Sequence, residues 1–313
     1  MEETIRLSIE NGPHQKQAHD TTSVMRDVLI ALLPVFIAAV IFFRMHALWV
    51  IVATVIGTCA GEFFVTALRK RPCTLGDLSA VVSGILLAFS LPPELPLWMC
   101  VCGGLFSTII AKQIFGGLGM NVFNPAMAGR AFLMAAYPVA MTSWSNPFTV
   151  DAISGATPLS ALKFSGVHTD LVPLFVGNVG GCVGETSVIA IGIGAIWLFS
   201  RGTACWRAPL GMFVATLVFS AIMAVLNPAF GSPLFHVAAG GWMLAAVFMV
   251  TDPVTTPMSA LGRYIFGAGV AIMILCVRYW GGLPEGTMYA ILFMNCFVPL
   301  IDRCTKPKAF GRK

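Results

Sequence analysis

Residues 24–43 read VMRDVLIALLPVFIAAVIFF, with two charges, Arg26 and Asp27, in the first four positions and only apolar side chains and Pro34 after them. About 20 such residues cross a bilayer as a helix. Further apolar stretches occupy 47–68, 78–91, 97–113, 127–141, 186–200, 208–226, 234–250, 262–280 and 286–301, making ten candidate spans. Several are short and interrupted by Gly or Pro, which predicts half-helices or re-entrant pieces inside the bundle, where irregular backbone is shielded from lipid. The expected fold class is an all-α integral membrane protein of about ten transmembrane helices, some short or broken.

Composition supports this class. Of 313 residues, 57% are hydrophobic and 11% charged, against about 25% charged in soluble proteins. The net charge of +5 does not point to nucleic acid, because Lys and Arg gather at segment ends rather than among aromatics on a polar face. Residues 1–23 are polar and predict no removable signal peptide. Nine cysteines include no CxxC pair and no Cys/His spacing of a zinc site. No metal site is expected, with Cys100 and Cys102 kept as the one exception, half of a cluster site completed by another subunit.

Lys and Arg mark cytoplasmic segments. With an inside N-terminus, fifteen of the nineteen fall on inner segments, Lys112 among them; Arg44, Lys163 and Arg278 fall outside, and Arg130 lies within a span. That bias places interval 142–185 outside the cytoplasm. Short matches link the two halves: TSV at 22–24 and 186–188, Gly84-ILLA and Gly241-WMLA, LPPELP at 91–96 and TDPVTTP at 251–257, FGGL at 115–118 and WGGL at 280–283, offset by 157 to 165 residues. Chance also produces such matches in Gly/Leu-rich sequence. Five spans per half is odd, so a repeat would be inverted, and that architecture places sites at broken helices on the repeat interface. The expected division is 1–23, a cytoplasmic N-terminal segment; 24–141 and 186–302, the two five-helix repeats; 142–185, an extracytoplasmic loop; and 303–313, a basic cytoplasmic tail.

The loop contains DAISGATPLS at 151–160. Locally this is a turn: Gly155 tolerates positive φ, Pro158 pre-sets its own φ, and Ser and Thr hydroxyls bond nearby backbone. Outside a multispanning protein it also resembles the attachment sequence of flavin transferases, which move FMN from FAD onto a Thr hydroxyl as a phosphoester. That resemblance implies covalent FMN on Thr157, with Gly155 and Ala156 giving the transferase room and Asp151 and Ser154 completing the recognised sequence.

Three Gly- or Pro-rich breaks hold the remaining candidates. GGLGMNVFNPA at 116–126 offers Asn121 and Asn124, either as helix caps or as hydrogen-bonding partners of a planar polar ring. Arg130 follows inside a span, where a cation wants a partner or a polar cavity. GNVGGCVGETS at 177–187, with Gly181, Gly184 and Glu185, reads as a helix N-terminus whose N–H groups face the loop and could hold flavin phosphate or ring oxygens. Glu185 equally reads as a first-turn carboxylate favoured by the helix dipole. TDPVTTPMS at 251–259 places Asp252 at an inner helix end, as a turn or as a counterpart of the first break. Glu62 is the one acidic residue expected clearly within a span, so the chain of intramembrane carboxylates of a self-contained pump is not expected.

DAISGAT, GGxGxNxFNPA, GxxGET and TDPVTTP, in this order and with Gly12, Pro13, His14, Thr21 and Thr22 ahead of them, resemble the NqrB/RnfD family. Its members are membrane subunits of the Rnf ferredoxin:NAD oxidoreductase and of the sodium-translocating NADH:quinone reductase. The short N-terminus is more similar to the Rnf member. Position 160, often Ala or Thr in the family, is Ser here. The resemblance implies a flavin-carrying membrane electron carrier of a redox-driven, ion-translocating oxidoreductase, with FMN on Thr157 and a noncovalent riboflavin near Asn121 and Asn124. It further implies a bacterial or archaeal inner membrane with membrane lipid around the chain, other subunits carrying covalent FMN and iron–sulfur clusters, and a flavin transferase for maturation. No catalytic side chain is expected, since the redox chemistry belongs to the flavin. The quinone-reductase member, a secondary transporter or channel of inverted repeats, and a membrane scaffold are the competing readings.

Overall fold

A computed structural model of the chain describes residues 20–145, 147, 156–227 and 230–306. Asp151, Ser154, Gly155 and the N-terminal Gly-Pro-His run lie outside the described residues. Those described form helices and no strand.

The first helix, α1, spans Thr21–Leu68. At 1.5 Å per residue a straight helix of that length would reach about 70 Å, over twice the hydrocarbon core. Arg44 breaks it, with φ 52° and ψ −134°, at the boundary between spans 24–43 and 47–68. The two arms run antiparallel, because Met25 on the first lines a cavity with Lys112, which bonds Glu62 near the end of the second.

The rest of the first half is α2 (Ser79–Phe89), α3 (Leu97–Thr108) extended by a π-helical turn at Ile109–Gln113, α4 (Pro125–Ala136) and α5 (Pro138–Met141). Two short helices follow, α6 (Pro158–Ser165) and α7 (Leu171–Val176). The second half holds α8 (Val188–Ser200), α9 (Arg207–Leu226), α10 (Pro233–Ala238), α11 (Trp242–Leu244) extended by a π-helical turn at Ala245–Met249, α12 (Ala260–Trp280) and α13 (Thr287–Cys304). Each sequence-predicted span falls on helix. Among the described residues, α1, α9, α12 and α13 are long and apolar enough to cross a membrane, while 79–89, 97–113 and 188–200 are shorter apolar helices.

Helix starts follow simple chemistry. Proline opens α4, α5, α6 and α10, where its missing N–H costs nothing. Outward faces are apolar: Ile37, Ile41 and Ile56 on α1 and Ile193 and Ile196 on α8 are all more than half exposed, as suits helices surrounded by lipid tails. Where helices meet, small residues let backbones touch. A Cβ on Gly104 of α3 would lie 2.6 Å from the Thr54 carbonyl of α1, and one on Gly267 of α12 would strike the Ala208 carbonyl of α9.

Three charged residues sit deeper than the sequence suggested. Lys112, read as part of an inner segment, is 1% exposed within the first π-turn. Arg278, read as outer, is buried in α12 and donates to the carbonyls of His236 at 2.5 Å and Ala239 at 2.8 Å. Asp27 is buried in α1, 3.1 Å from the Thr203 hydroxyl and 3.6 Å from Arg201. Cys100 points into the core and Cys102 is half-buried; residues two apart on a helix turn by about 200° and share no face, so the two do not converge.

Candidate functional site

Two polar cavities lie at successive levels along α4. The first forms around the cap of α4, where the Asn124 carbonyl oxygen accepts from the N–H groups of Ala126 at 3.0 Å and Met127 at 3.3 Å. The cap reading of this asparagine therefore holds. Asn121 donates from Nδ2 to the Phe123 carbonyl at 3.1 Å, and its Oδ1, although buried, has no partner among the described residues. An orphaned buried acceptor costs about 1–3 kcal/mol until something donates to it. The cavity is closed by Met25, Ser79, Lys112, Phe248 and Asp252. The first and third sequence breaks thus meet at one place. Asp252 accepts from the Thr255 hydroxyl at 2.8 Å and the Val254 N–H at 3.3 Å; burial raises its pKa and these two bonds oppose the rise.

Both π-turns reach this cavity, the first through Lys112 and the second through Phe248. π-Turns recur at functional sites. Lys112 is held by both Glu62 oxygens, at 3.1 and 2.9 Å, and by the Ser79 hydroxyl at 2.5 Å; Gln113 and Thr74 complete the carboxylate's bonds at 3.2 and 2.5 Å. This pairing was not legible in the sequence, because its partners stand 50 residues apart. The space holds about 80 Å³, below the roughly 300–1,000 Å³ of ordinary ligand pockets, so an occupant must displace side chains such as Phe248.

The second cavity opens beyond Arg130. Its larger lobe holds about 520 Å³ and is lined by Arg130, Trp144, Ala156, Ser160, Glu285 and Tyr289. A smaller lobe shares Trp144 and Glu285 and adds Thr157, Gly181, Cys182 and Glu185. Thr157 caps α6: its hydroxyl oxygen accepts from the Ser160 N–H at 3.2 Å and lies 3.0 Å from the Ser160 hydroxyl. Lys163 at the other end of α6 fastens it to the second half, donating to the carbonyls of Val277 at 3.0 Å, Leu283 at 2.9 Å and Gly281. Burial lowers the Lys163 pKa.

Arg130 joins three separate pieces of chain. Its Nη1 donates to Glu185 Oε1 at 2.7 Å, its Nη2 lies 3.8 Å from Glu285 Oε2, and Cys182 Sγ is 3.5 Å away. Glu285 also accepts from the Gly241 N–H and from the Thr287 hydroxyl at 3.2 Å. Burial raises the Glu185 pKa to about 7, with repulsion from Glu285 adding to it and the Arg130 guanidinium opposing it. The Cys182 thiol is likewise pushed up by burial.

The break at 177–187 differs from its sequence reading. The N–H groups of Val183 and Gly184 are bonded to the carbonyls of Leu91 and Phe89 at 3.0 and 2.9 Å, and Gly184 packs on the Phe89 ring. They close the end of α2 rather than facing a loop. Ser187 caps α8 through the Ala190 N–H at 3.3 Å, so Glu185 precedes the helix and serves Arg130 instead of the helix dipole. Gly181 remains at the cavity wall. Among site residues the sequence reading missed Glu285, which stands in a loop sequence, PEGT, with no signal of its own.

Exposed apolar helix faces around a polar interior with two stacked cavities define a multi-pass membrane protein built to hold polar groups inside its bundle. The chain belongs to the NQR2, RnfD, RnfE family, whose model matches residues 8–311. It is 40% identical over 98% of its length, and 96% of the relative's, to the RnfD subunit of the Na(+)-translocating ferredoxin:NAD(+) oxidoreductase complex of Acetobacterium woodii. It is 38% identical over 98% of its length, and 97% of the relative's, to the corresponding subunit of the proton-translocating ferredoxin:NAD(+) oxidoreductase complex of Clostridium ljungdahlii. The corresponding subunit of the ion-translocating oxidoreductase complex of Citrobacter koseri is 36% identical, over 97% of this chain and 99% of the relative.

Proposed function

We propose that the chain is the flavin-carrying membrane subunit of an ion-translocating ferredoxin:NAD oxidoreductase complex, carrying FMN as a phosphoester on Thr157 and a second flavin, riboflavin, noncovalently. Family membership across residues 8–311 supports the assignment to such a complex. The observation that carries the cofactor reading is the position of Thr157 at the wall of a cavity shared with Glu285, beside a lobe of about 520 Å³, a size within the range of cofactor pockets.

The residues around that cavity fit an esterified flavin. The N-terminus of α6 lies at the hydroxyl, where helix N–H groups favour a phosphate. Trp144 and Tyr289 offer aromatic faces, and Arg130 offers a cation, at the lobe where a ring would rest. In the first cavity the unpartnered Asn121 Oδ1 fits a ring N–H and Lys112 fits a ring oxygen. A bound flavin supplies electron transfer; the chain positions it, keeps water from it and sets its potential.

The same reading takes the fold as two inverted five-helix repeats in the cytoplasmic membrane, termini inside and the Thr157 loop outside. Matching helix pairs support the repeat: α3 lies on the second arm of α1 through Gly104 as α12 lies on α9 through Gly267. The neighbours in this reading are the other membrane subunits, among them one carrying covalent FMN and others carrying iron–sulfur clusters, together with a flavin transferase for maturation. Relatives at 40% and 38% identity are named for sodium and for the proton, so the coupled ion is stated as a class, a monovalent cation. Intact mass of the chain matured with an active flavin transferase tests the reading. One added FMN on the peptide around Thr157 is expected, and a bare peptide overturns it.

A further inference from the structure

Two carboxylates share one guanidinium beside the Thr157 cavity, and among the described residues neither has a second basic side chain in contact. Glu185 holds Arg130 Nη1 at 2.7 Å from a fully enclosed position; Glu285 stands 3.8 Å from Nη2, is 19% exposed, and lines both lobes. Like charges this close resist ionising together, and the proton they take belongs to the pair rather than to one residue.

The remaining polar neighbours do not cancel the second charge. Arg278 of α12 is turned to the carbonyls of His236 and Ala239, and Lys163 of α6 to those of Val277, Gly281 and Leu283. Cys182, with its thiol pushed up by burial, stays neutral. His236 of α10 bonds the Phe230 carbonyl through Nε2, and Tyr279 of α12 packs its ring on His236. Tyr289 of α13 faces the larger lobe.

We propose that Glu185 and Glu285 form a redox-linked proton site, which takes up one proton from water when an electron reaches the flavin on Thr157 and releases it when that electron leaves. The inference rests on the covalent-flavin reading. The balance is simple: the oxidoreductase complex supplies the electron, an O–H bond forms on the carboxylate pair, and both are lost together on reoxidation. A phosphoester on Thr157 adds a further negative charge to the same cavity and favours the protonated pair. Glu285, with its partial exposure, is the member that exchanges the proton with water, and Arg130 is the positioning residue that keeps the two carboxyls together.

The full chain, matured with an active flavin transferase, is titrated spectroelectrochemically at several pH values, with the Thr157→Ala chain subtracted to remove any noncovalent flavin. In the native chain the potential of the Thr157-linked flavin falls as pH rises through neutrality. In E285Q or E185Q the remaining carboxylate faces Arg130 with no like charge beside it and stays ionised, so the pH slope drops to less than half. Gln at 285 still accepts from the Gly241 N–H, which favours folding of that variant. Redox-difference infrared spectra of the native chain provide a second measurement that needs no variant: a protonated carboxyl band appears on reduction and moves when glutamate is isotopically labelled. Unchanged slopes in both variants, or no such band in the native chain, overturn the proton site while in-gel flavin fluorescence leaves the flavin reading standing. A native chain without covalent flavin overturns both.

Discussion

Asn124 and Arg130 stand six residues apart on α4, yet the first caps the helix at one cavity and the second projects into the other. The rise between them is about 9 Å. A single short helix therefore spaces the two places where flavins are proposed, and changes at its two ends separate cleanly in experiment.

Thr157→Ala removes both the proposed ester and the cap of α6. Flavin fluorescence of the denatured band should vanish, and loss of the cap should cost about 1 kcal/mol. Thr157→Ser keeps the cap oxygen. Comparing the melting of the two variants made without transferase isolates the cap from the cofactor.

At the other end of α4's reach, Asn121→Leu leaves no acceptor for a ring N–H. One hydrogen bond contributes about 0.5–1.5 kcal/mol, so noncovalent flavin retained by the Thr157→Ala chain should bind roughly three- to tenfold more weakly. Flavin released on denaturation measures it.

Arg130→Met strands Glu185, whose side chain is 5% exposed. Removing one member of a buried ion pair typically costs about 3–5 kcal/mol. Adding Glu185→Met should restore much of that loss, since the unpaired charge is then gone. Thermal unfolding in detergent of the single and double variants gives the comparison.

Cys205, between α8 and α9, should be the most reactive thiol near neutral pH. Burial alone would raise it, but the Arg207 backbone N–H and the Arg263 side chain outweigh burial and lower its pKa, which enlarges the thiolate fraction that attacks alkylating reagents. With limiting iodoacetamide, mass mapping should find Cys205 modified ahead of the more exposed Cys73 and Cys304, and Arg263→Ala should remove that lead.

The apolar spans were legible because hydropathy depends only on neighbours along the chain; each of the ten segments is helical. The cap at Asn124 was legible for the same reason, Asn-Pro being a local signal for a helix start. Glu285, Lys112 and Arg278 were not. Their roles depend on partners 155, 50 and about 40 residues away, brought together by packing that no local pattern announces. The two carboxylates at Arg130 were half visible: a cation in a span demanded a partner, and Glu185 was the obvious candidate, whereas Glu285 looked like an ordinary loop acid.

Each π-turn carries one residue more than the α-helical path needs, closing Ile114 N–H on the Ile109 carbonyl at 3.0 Å and Val250 N–H on the Ala245 carbonyl at 2.8 Å. Deleting one residue from either turn would restore a regular helix and rotate everything beyond it by about 100°. Lys112 or Phe248 would then swing away from the chamber while composition and hydropathy stayed almost the same. Counting residues between landmarks, rather than scoring their character, is the way to spot a sequence in which this chamber has been lost.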